Sequence, residues 1–453
     1  MPRPLPNQMH LPEGMAYTCI QCGRGCMDFF EIPVDAESEA RLRKLDLKAQ
    51  QQAVLDEDPI QPSQFDPQGR TLCRSNNACV FLTGQKLCAL HREYGLKNKP
   101  QACIDFPFTF VDTPHGAYAG LSFACTAVLE ELGEPVTDQR EYLLDNFTES
   151  VHVKQSAERP QLTGRIAIDF DAYLELERAL DDILALPNIA LPVRLLAQAE
   201  FVDVVVRTFE AARLSIAAKG SKLTTEEKAA AAAATDVDLM RGLAERFRSD
   251  KWGRLLIRAH QKRGTPSLHR AFVGMVTTFR QAFWTRVGRV TALTRIGRSY
   301  LANAMGSSRI TLMPLRESFR YSDFKKIKIE AIPGAYWDHV MTRYLRHRLF
   351  RKDLLVSETI RTGHRLMLLH FALVNWYIVG MTSLNKLTAP TQDIIRESIR
   401  NAEQYYVHHT TLSKVLETQP LLASLVDSVL SNKRYAASIV YPPVKRTKGD
   451  SVW

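Results

Sequence analysis

Cysteine is missing from most of this chain. All eight cysteines lie within the first 125 of 453 residues, and the 328 residues that follow contain none. The opening stretch MPRPLPNQMHLPEGM has no basic start, apolar run or small-residue cleavage site of the kind that marks a secretory leader. Both absences weigh against a secreted disulfide scaffold, in which paired cysteines staple a domain too small to build a core. A chain of this length needs no staples, and it exceeds one ordinary core, so two or more domains are expected. Also absent is a glycine-rich strand-to-helix turn, the phosphate cradle of dinucleotide-type folds. Long uncharged runs are scarce as well. Residues 366–385, LMLLHFALVNWYIVGMTSLN, are long enough to span a bilayer. However, His370, Asn375, Thr382 and Ser383 suit lipid poorly, and no second such run follows. A buried helix in a soluble, cytoplasmic protein with no membrane partner is the expectation.

Acidic residues are thin over one long stretch. Residues 241–300 hold fourteen Lys or Arg against only Glu245 and Asp250, and the whole chain carries a net charge of +10. Such a balance suits a solvated helix face or a surface that docks an acidic macromolecule. Trp252, Phe272, Phe279, Phe283 and Trp284 are interleaved with the basic residues, which also admits single-stranded nucleic acid. Phe272, Phe279 and Phe283 are spaced seven and four apart, a core pattern, so nucleic acid is not the expected partner.

What the chain does have is organised in two textures. Hydrophobic residues make up 45% and charged residues 24%, as in ordinary globular proteins. Residues 1–16, with Pro2, Pro4, Pro6 and Pro12, form an irregular lead-in. Residues 17–128 hold the cysteines in a loop-rich region, within which 36–58 reads as a polar helix and 59–70 as a loop. Residues 129–440 form an α-helical domain. FDAYLELERALDDILAL, PVRLLAQAEFVDVVVRTFEAARLSIAAK and DVDLMRGLAERFRSDKWGRLLIRAHQ all place apolar residues at three- and four-residue intervals. Asn188 and Pro192 punctuate the first two, and TTEEKAAAAAATD (224–236) opens as a helix start. Residues 441–453 are a flexible tail. The fold class is therefore mainly α, a cysteine-cluster metal-binding region followed by a long helical body.

The cysteines invite a chemical account. Cys19, Cys22 and Cys26 sit in CIQCGRGC, with Gly23 and Gly25 between them. The three- and four-residue spacing would place them on one helix face as small core residues, but two glycines in three residues disfavour a helix interior. A C-x-x-C turn instead lets two thiolates converge on one ion, and the glycines permit the tight backbone. Cys79, Cys88 and Cys103 supply further donors, with His91 nearby. Cys73 and Cys125 stand in reserve. The expected metal ligands are thus drawn from Cys19, Cys22, Cys26, Cys79, Cys88 and Cys103. Thiolate-rich sites suit zinc and iron–sulfur clusters alike.

CIQCGRGC, followed by CVFL and KLCALHREYGLKNKPQACIDFP, resembles the CxxCxxCC cysteine-cluster family of zinc- or iron-chelating domains. Met27 stands where that family has a second adjacent cysteine, Leu90-His91 replaces its Ile-Tyr, and Lys99-Pro100 replaces its Arg-Pro. The order of parts is similar to that of the flagellin lysine N-methylases, whose cysteine domain precedes a long helical region. Three further stretches, YWDHVMTRYLRHRLF (336–350), LMLLHFALVNWYIVG (366–380) and IRNAEQYYVHH (399–409), resemble those proteins' C-terminal helices. The resemblance implies lysine N-methylation with S-adenosylmethionine, an iron–sulfur cluster, and a protein substrate with accessible lysines such as flagellin. No C-x-x-x-C-x-x-C occurs, so the methyl donor would bind otherwise than in radical S-adenosylmethionine enzymes. Asp28, Glu31, Asp105 and Asp112 are carboxylates near the cysteines, and none is assigned as the base. The alternative expectation is a non-catalytic interaction scaffold tied by structural zinc.

Overall fold

The computed structural model describes residues 4–27, 31–45, 58–63, 68–75, 78–219, 224–249, 309–312, 317–320, 334–408 and 420–431, with 294, 436 and 440 singly. Two units divide the chain, Met1–Ser156 and Ala157–Trp453.

Elements of the first unit are short because turns interrupt them every few residues. β1 (Met9–His10) leads to α1 (Arg24–Met27), a single turn entered through Gly23 at φ +66°. α2 (Ala36–Leu42) begins at Asp35, whose carboxylate accepts the Ser38 amide at 2.8 Å and so satisfies one of the helix's open donors. The helix expected over 36–58 is thus present to Leu42, and residues 46–57 lie outside the described residues. Within the stretch expected to be a loop, β2 (Ile60–Pro62) pairs antiparallel with β3 (Arg70–Leu72). A second ribbon joins β4 (Arg74–Ser75) to β5 (Ala78–Cys79), with Arg74 opposite Cys79. α3 (Ala89–Tyr94) and α4 (Gln101–Asp105) follow.

β6 (Phe108–Thr113) and β7 (Gly116–Leu121) then form an antiparallel hairpin. β1 adds in parallel beside β7, and β8 (Lys154–Gln155) in parallel beside β6, giving the order β1-β7-β6-β8. Gly116, at φ +104°, is required at the mouth of that hairpin: a Cβ there would lie 2.3 Å from the Gln8 carbonyl oxygen. α5 (Thr126–Leu129) and α6 (Arg140–Glu149) pack nearby, and Phe110 meets Phe147 of α6 edge-on at 5.9 Å. No strand was expected in FTFVDTPHGAYAGL. Its apolar residues do not alternate cleanly because all six residues of β7 are buried, as in a strand covered on both faces.

The second unit is mainly helical. After a small ribbon of β9 (Gln161–Thr163) and β10 (Ile166–Ala167), α7 (Phe170–Leu184) buries Phe170, Tyr173, Leu176, Leu180 and Ile183, the three- and four-residue period of its sequence. Asn188, at φ +59°, turns the chain into α8 (Leu191–Lys219), and Pro192 lies in its first turn, where no backbone donor is lost. α9 (Thr225–Arg248) contains the alanine run. β11 (Arg309–Leu312) pairs antiparallel with β12 (Glu317–Arg320). Then come α10 (Gly334–Phe350), a 3-10 turn (Asp353–Val356), α11 (Ile360–Leu384), α12 (Gln392–Glu403), a π-helical turn (Gln404–His408) and α13 (Pro420–Ser431).

α11 is the axis of this unit and packs against α8, α12, α13 and the 3-10 turn. Among the described residues it alone is long and apolar enough to cross a membrane, and 89% of its apolar window is buried inside the unit. Most of the basic stretch 241–300 and the tail 441–453 lie outside the described residues.

Candidate functional site

The eight cysteines all belong to the first unit, none is in a disulfide, and the fold sorts them into groups. Cys79 ends β5 and Cys88 precedes α3. The turn between them is closed by hydrogen bonds from the Leu82 amide to the Cys79 carbonyl (2.9 Å) and from the Ala89 amide to the Phe81 carbonyl (2.8 Å). Cys26, in α1, reaches the same place because Gly23 lies flat on that turn. A Cβ on Gly23 would stand 3.0 Å from the Lys86 carbonyl oxygen and 3.3 Å from Leu82. Arg74 ties the two pieces by donating to the Cys26 carbonyl at 3.4 Å. Cys103 sits in α4, its amide bonded to the Pro100 carbonyl at 2.8 Å.

These four thiols influence one another's ionisation. Burial pushes the Cys79 thiol up to about 12, the Phe81 amide opposes that, and neighbouring Cys26 and Cys88 push it further up. Cys103 is also pushed up by burial, against the pull of Lys99, and it too feels Cys79, Cys26 and Cys88. Like charges that raise one another's pKa are the pattern expected where thiolates share one place, and a bound cation would reverse the sign. Among the described residues, no three His, Cys, Asp or Glu side chains converge closely enough to hold an ion as they stand. Thiols are donors of the kind thiophilic metals take, but these do not form a site as they stand. Cys26, Cys73 and Cys88 also pack against the apolar cluster of Val34, Leu42, Ile60, Leu72, Cys79, Val80, Phe81 and Leu90.

Cys19 and Cys22 are placed elsewhere. Cys19 is exposed and Cys22 half-buried, and both add to the burial that raises Cys125, at the start of α5. His91 is exposed on α3. Asp105 is buried and accepts Gln101 Nε2 at 2.8 Å and Ser150 Oγ at 2.7 Å, a structural link between α4 and the end of α6. Glu31 accepts the Ser63 hydroxyl, Asp112 accepts Gln155 Nε2 at 3.1 Å, and Asp28 lies outside the described residues.

The chain matches no family model, no curated protein and no solved structure.

A second concentration of polar groups lies deep in the helical unit, where no candidate had been named. α10 supplies Tyr344, His347 and Arg348, the following turn Arg351 and Asp353, α11 His370, and α12 its last residue, Glu403; all are buried but Asp353, whose side chain is 9% exposed. Arg351 grips Asp353 with two bonds of 2.8 Å and reaches Glu403 Oε1 at 2.5 Å, while Arg348 Nε donates to Asp353 at 2.6 Å. The Tyr344 hydroxyl donates to Glu403 and stands 2.7 Å from His370 Nε2. A phenol has one proton, so with it directed at Glu403, His370 Nε2 is the protonated nitrogen of a neutral ring.

Burial holds His370 well below the usual imidazole range and His347 down to about 3, with Arg351 and Arg348 adding to it. Asp353 is favoured toward protonation by burial, but the Arg351 and Arg348 guanidiniums overcome that and hold it well below the carboxylate range. Two guanidiniums thus balance two carboxylates. Beside them, Lys352 donates to Glu177, which also accepts the Tyr173 hydroxyl at 2.6 Å. Residues 336–350, 366–380 and 399–403 are the stretches that meet here. Their signal was polar residues such as His370, Glu403 and Arg348 among the apolar residues of the buried helix faces.

Proposed function

We propose that the protein is a metal-binding protein-lysine N-methyltransferase of the cysteine-cluster type, resembling the flagellin lysine N-methylases. The observation that carries the metal is the approach of Cys26, Cys79, Cys88 and Cys103 from four separate elements to within mutual electrostatic reach. An iron–sulfur cluster or zinc is held by four thiolates, the number these residues could supply. The metal would neutralise the sulfurs that now oppose each other's ionisation and would tie α1, β5, α3 and α4, a region of short elements with few other staples.

The methyltransfer half of the proposal is supported by the order of parts and by the sequence likenesses of both halves. The reaction moves a methyl group from the sulfonium of S-adenosylmethionine to a neutral lysine Nζ, which must first lose its proton. The substrate class is a protein with accessible lysines, flagellin among them.

The test is to purify the full chain without oxygen, determine metal and sulfide, and record its visible spectrum beside a Cys79→Ser/Cys88→Ser variant. Iron, sulfide and a brown colour lost in the variant support the cluster. The loaded protein is then mixed with flagellin and S-adenosylmethionine, and mass spectrometry reads methylated lysine. Stoichiometric zinc without colour, and unmodified flagellin, would replace this proposal with a structural zinc scaffold.

A further inference from the structure

Apolar side chains stand open to solvent where the chain before α1 meets the loop after α5. The Tyr17 amide donates to the Glu134 carbonyl (2.9 Å), the Thr18 amide to the Leu132 carbonyl (3.0 Å), and the Glu134 amide donates to Thr18 Oγ1 (3.1 Å). Gly133, at φ +112°, permits this clamp, because a Cβ there would lie 2.2 Å from the Thr18 nitrogen. Gln139 Nε2 donates to the Tyr17 carbonyl at 2.7 Å and brings the start of α6 alongside. Aromatic rings continue the join. Tyr17 meets Phe108 edge-on at 5.3 Å, and Phe108 meets Tyr142 of α6 at 6.2 Å. Leu132, Tyr142 and Ile20 thus gather around one clamped segment while 37%, 39% and 43% exposed. Large apolar side chains grouped and held open in this way mark an interaction surface.

The rim of this patch is acidic in a basic protein. The chain as a whole carries +10, yet residues 130–149 hold seven Asp or Glu against Arg140 alone, and all seven are exposed. Arg140 is engaged with the Met9 carbonyl, to which Nη1 donates at 3.1 Å. Asp138, Glu141, Asp145 and Glu149 recur at three- and four-residue steps from the turn before α6 along the helix, so they share a face with Tyr142. Glu131 and Glu134 flank Leu132. Like charges at this density repel one another, and a cationic partner relieves them. The apolar centre excludes a simple cation as the occupant, and the acidic rim excludes nucleic acid and an anionic membrane.

We infer that this face docks a basic amphipathic segment of a partner protein, with the segment's apolar residues on Leu132, Tyr142 and Ile20 and its lysines over the acidic rim. A helix laid across the patch carries apolar residues on one side and lysines on its flanks, which matches an apolar centre with a charged border. Taking that partner as the protein whose lysines are modified rests on the proposed methyl transfer. The docking itself does not.

The experiment uses the full chain and a fluorescent synthetic helical peptide with leucines on one face and lysines on its flanks. A second peptide carries glutamates in place of the lysines. Fluorescence anisotropy measures binding with no S-adenosylmethionine present. The lysine peptide should bind at low salt and weaken by about tenfold or more as salt rises, and the glutamate peptide should not bind. Glu134→Lys/Glu141→Lys/Asp145→Lys should weaken the lysine peptide by about tenfold or more, and Tyr142→Ser by about fivefold. Glu210→Lys/Asp238→Lys/Glu245→Lys makes the same change in net charge at exposed positions of α8 and α9 and should leave binding within about twofold. Circular dichroism melting checks that each variant is folded.

No binding of the lysine peptide, equal binding of the glutamate peptide, or an equal loss in the α8 and α9 variant would overturn the inference. So would a dimer in sedimentation that Tyr142→Ser dissociates, since a second copy would then be the occupant. Lysine-peptide binding with the expected variant effects, but no lysine methylated, keeps the docking face and removes the proposed reaction. Flagellin methylated with unchanged KM by Glu134→Lys/Glu141→Lys/Asp145→Lys removes the docking face and keeps the reaction.

Discussion

Replacing Glu403 by leucine should unfold the helical unit far more easily than any surface change. Glu403 is fully buried and accepts from both Arg351 and Tyr344, and Arg351 is only 2% exposed, so solvent cannot take over either partner. Without it, two buried guanidiniums share one carboxylate, Asp353, and the Tyr344 hydroxyl loses its acceptor. Removing one member of a buried ion pair costs about 3–5 kcal/mol, most of it the penalty of a charge left uncompensated. For a unit of this size each kcal/mol lowers the melting temperature by about 2–4 °C, so a fall of roughly 6–20 °C is expected.

Urea unfolding followed by helical circular dichroism reads the loss as a lower midpoint at unchanged slope. The double variant Glu403→Leu/Arg351→Met removes both charges together and should recover at least about 2 kcal/mol of the loss, because replacing a buried pair by apolar groups is often neutral. A single-variant loss under about 1 kcal/mol, or no recovery in the double variant, would show that the network does not carry the charge balance described.

Other outcomes follow from the same geometry. His347 and His364, each held by burial down to about 3, and His370, held well below its usual value, are neutral when folded, whereas the unfolded chain protonates near 6.5. The unfolded state therefore binds more protons below pH 6.5, and stability should fall with acid by about 1.4 kcal/mol per pH unit for each histidine. Urea midpoints between pH 6.5 and 5 measure this, and His370→Gln should make the fall shallower; a flat profile refutes it. Gly363→Ala places a Cβ 2.3 Å from the Leu354 carbonyl oxygen and should cost about 1–3 kcal/mol by pushing away the turn that carries Asp353, seen as a lowered melting temperature. Because burial raises Cys79 to about 12, uptake of the proposed metal should release protons, and calorimetry of cadmium binding in buffers of different ionisation heat checks it; heats independent of the buffer refute it.

The sequence by itself determined the helices, since helical periodicity is local. Phe170, Tyr173, Leu176, Leu180 and Ile183 lie on one face whatever surrounds them, and Pro192 starts α8 by its own missing donor. The cysteines and their confinement to the first 125 residues were equally open to view. The hairpin of β6 and β7 was not, because a strand covered on both faces loses the alternation that would announce it. Which thiols meet was decided by tertiary structure alone. Cys19 and Cys26 are seven residues apart, yet Thr18 lies against Gly133 while Gly23 lies on the Lys86 turn. Likewise Tyr344, His370 and Glu403 come from three helices, and no periodicity within one helix records a hydrogen bond to another. Burial makes their meeting consequential: in water each would be solvated alone, while inside the unit each needs the others.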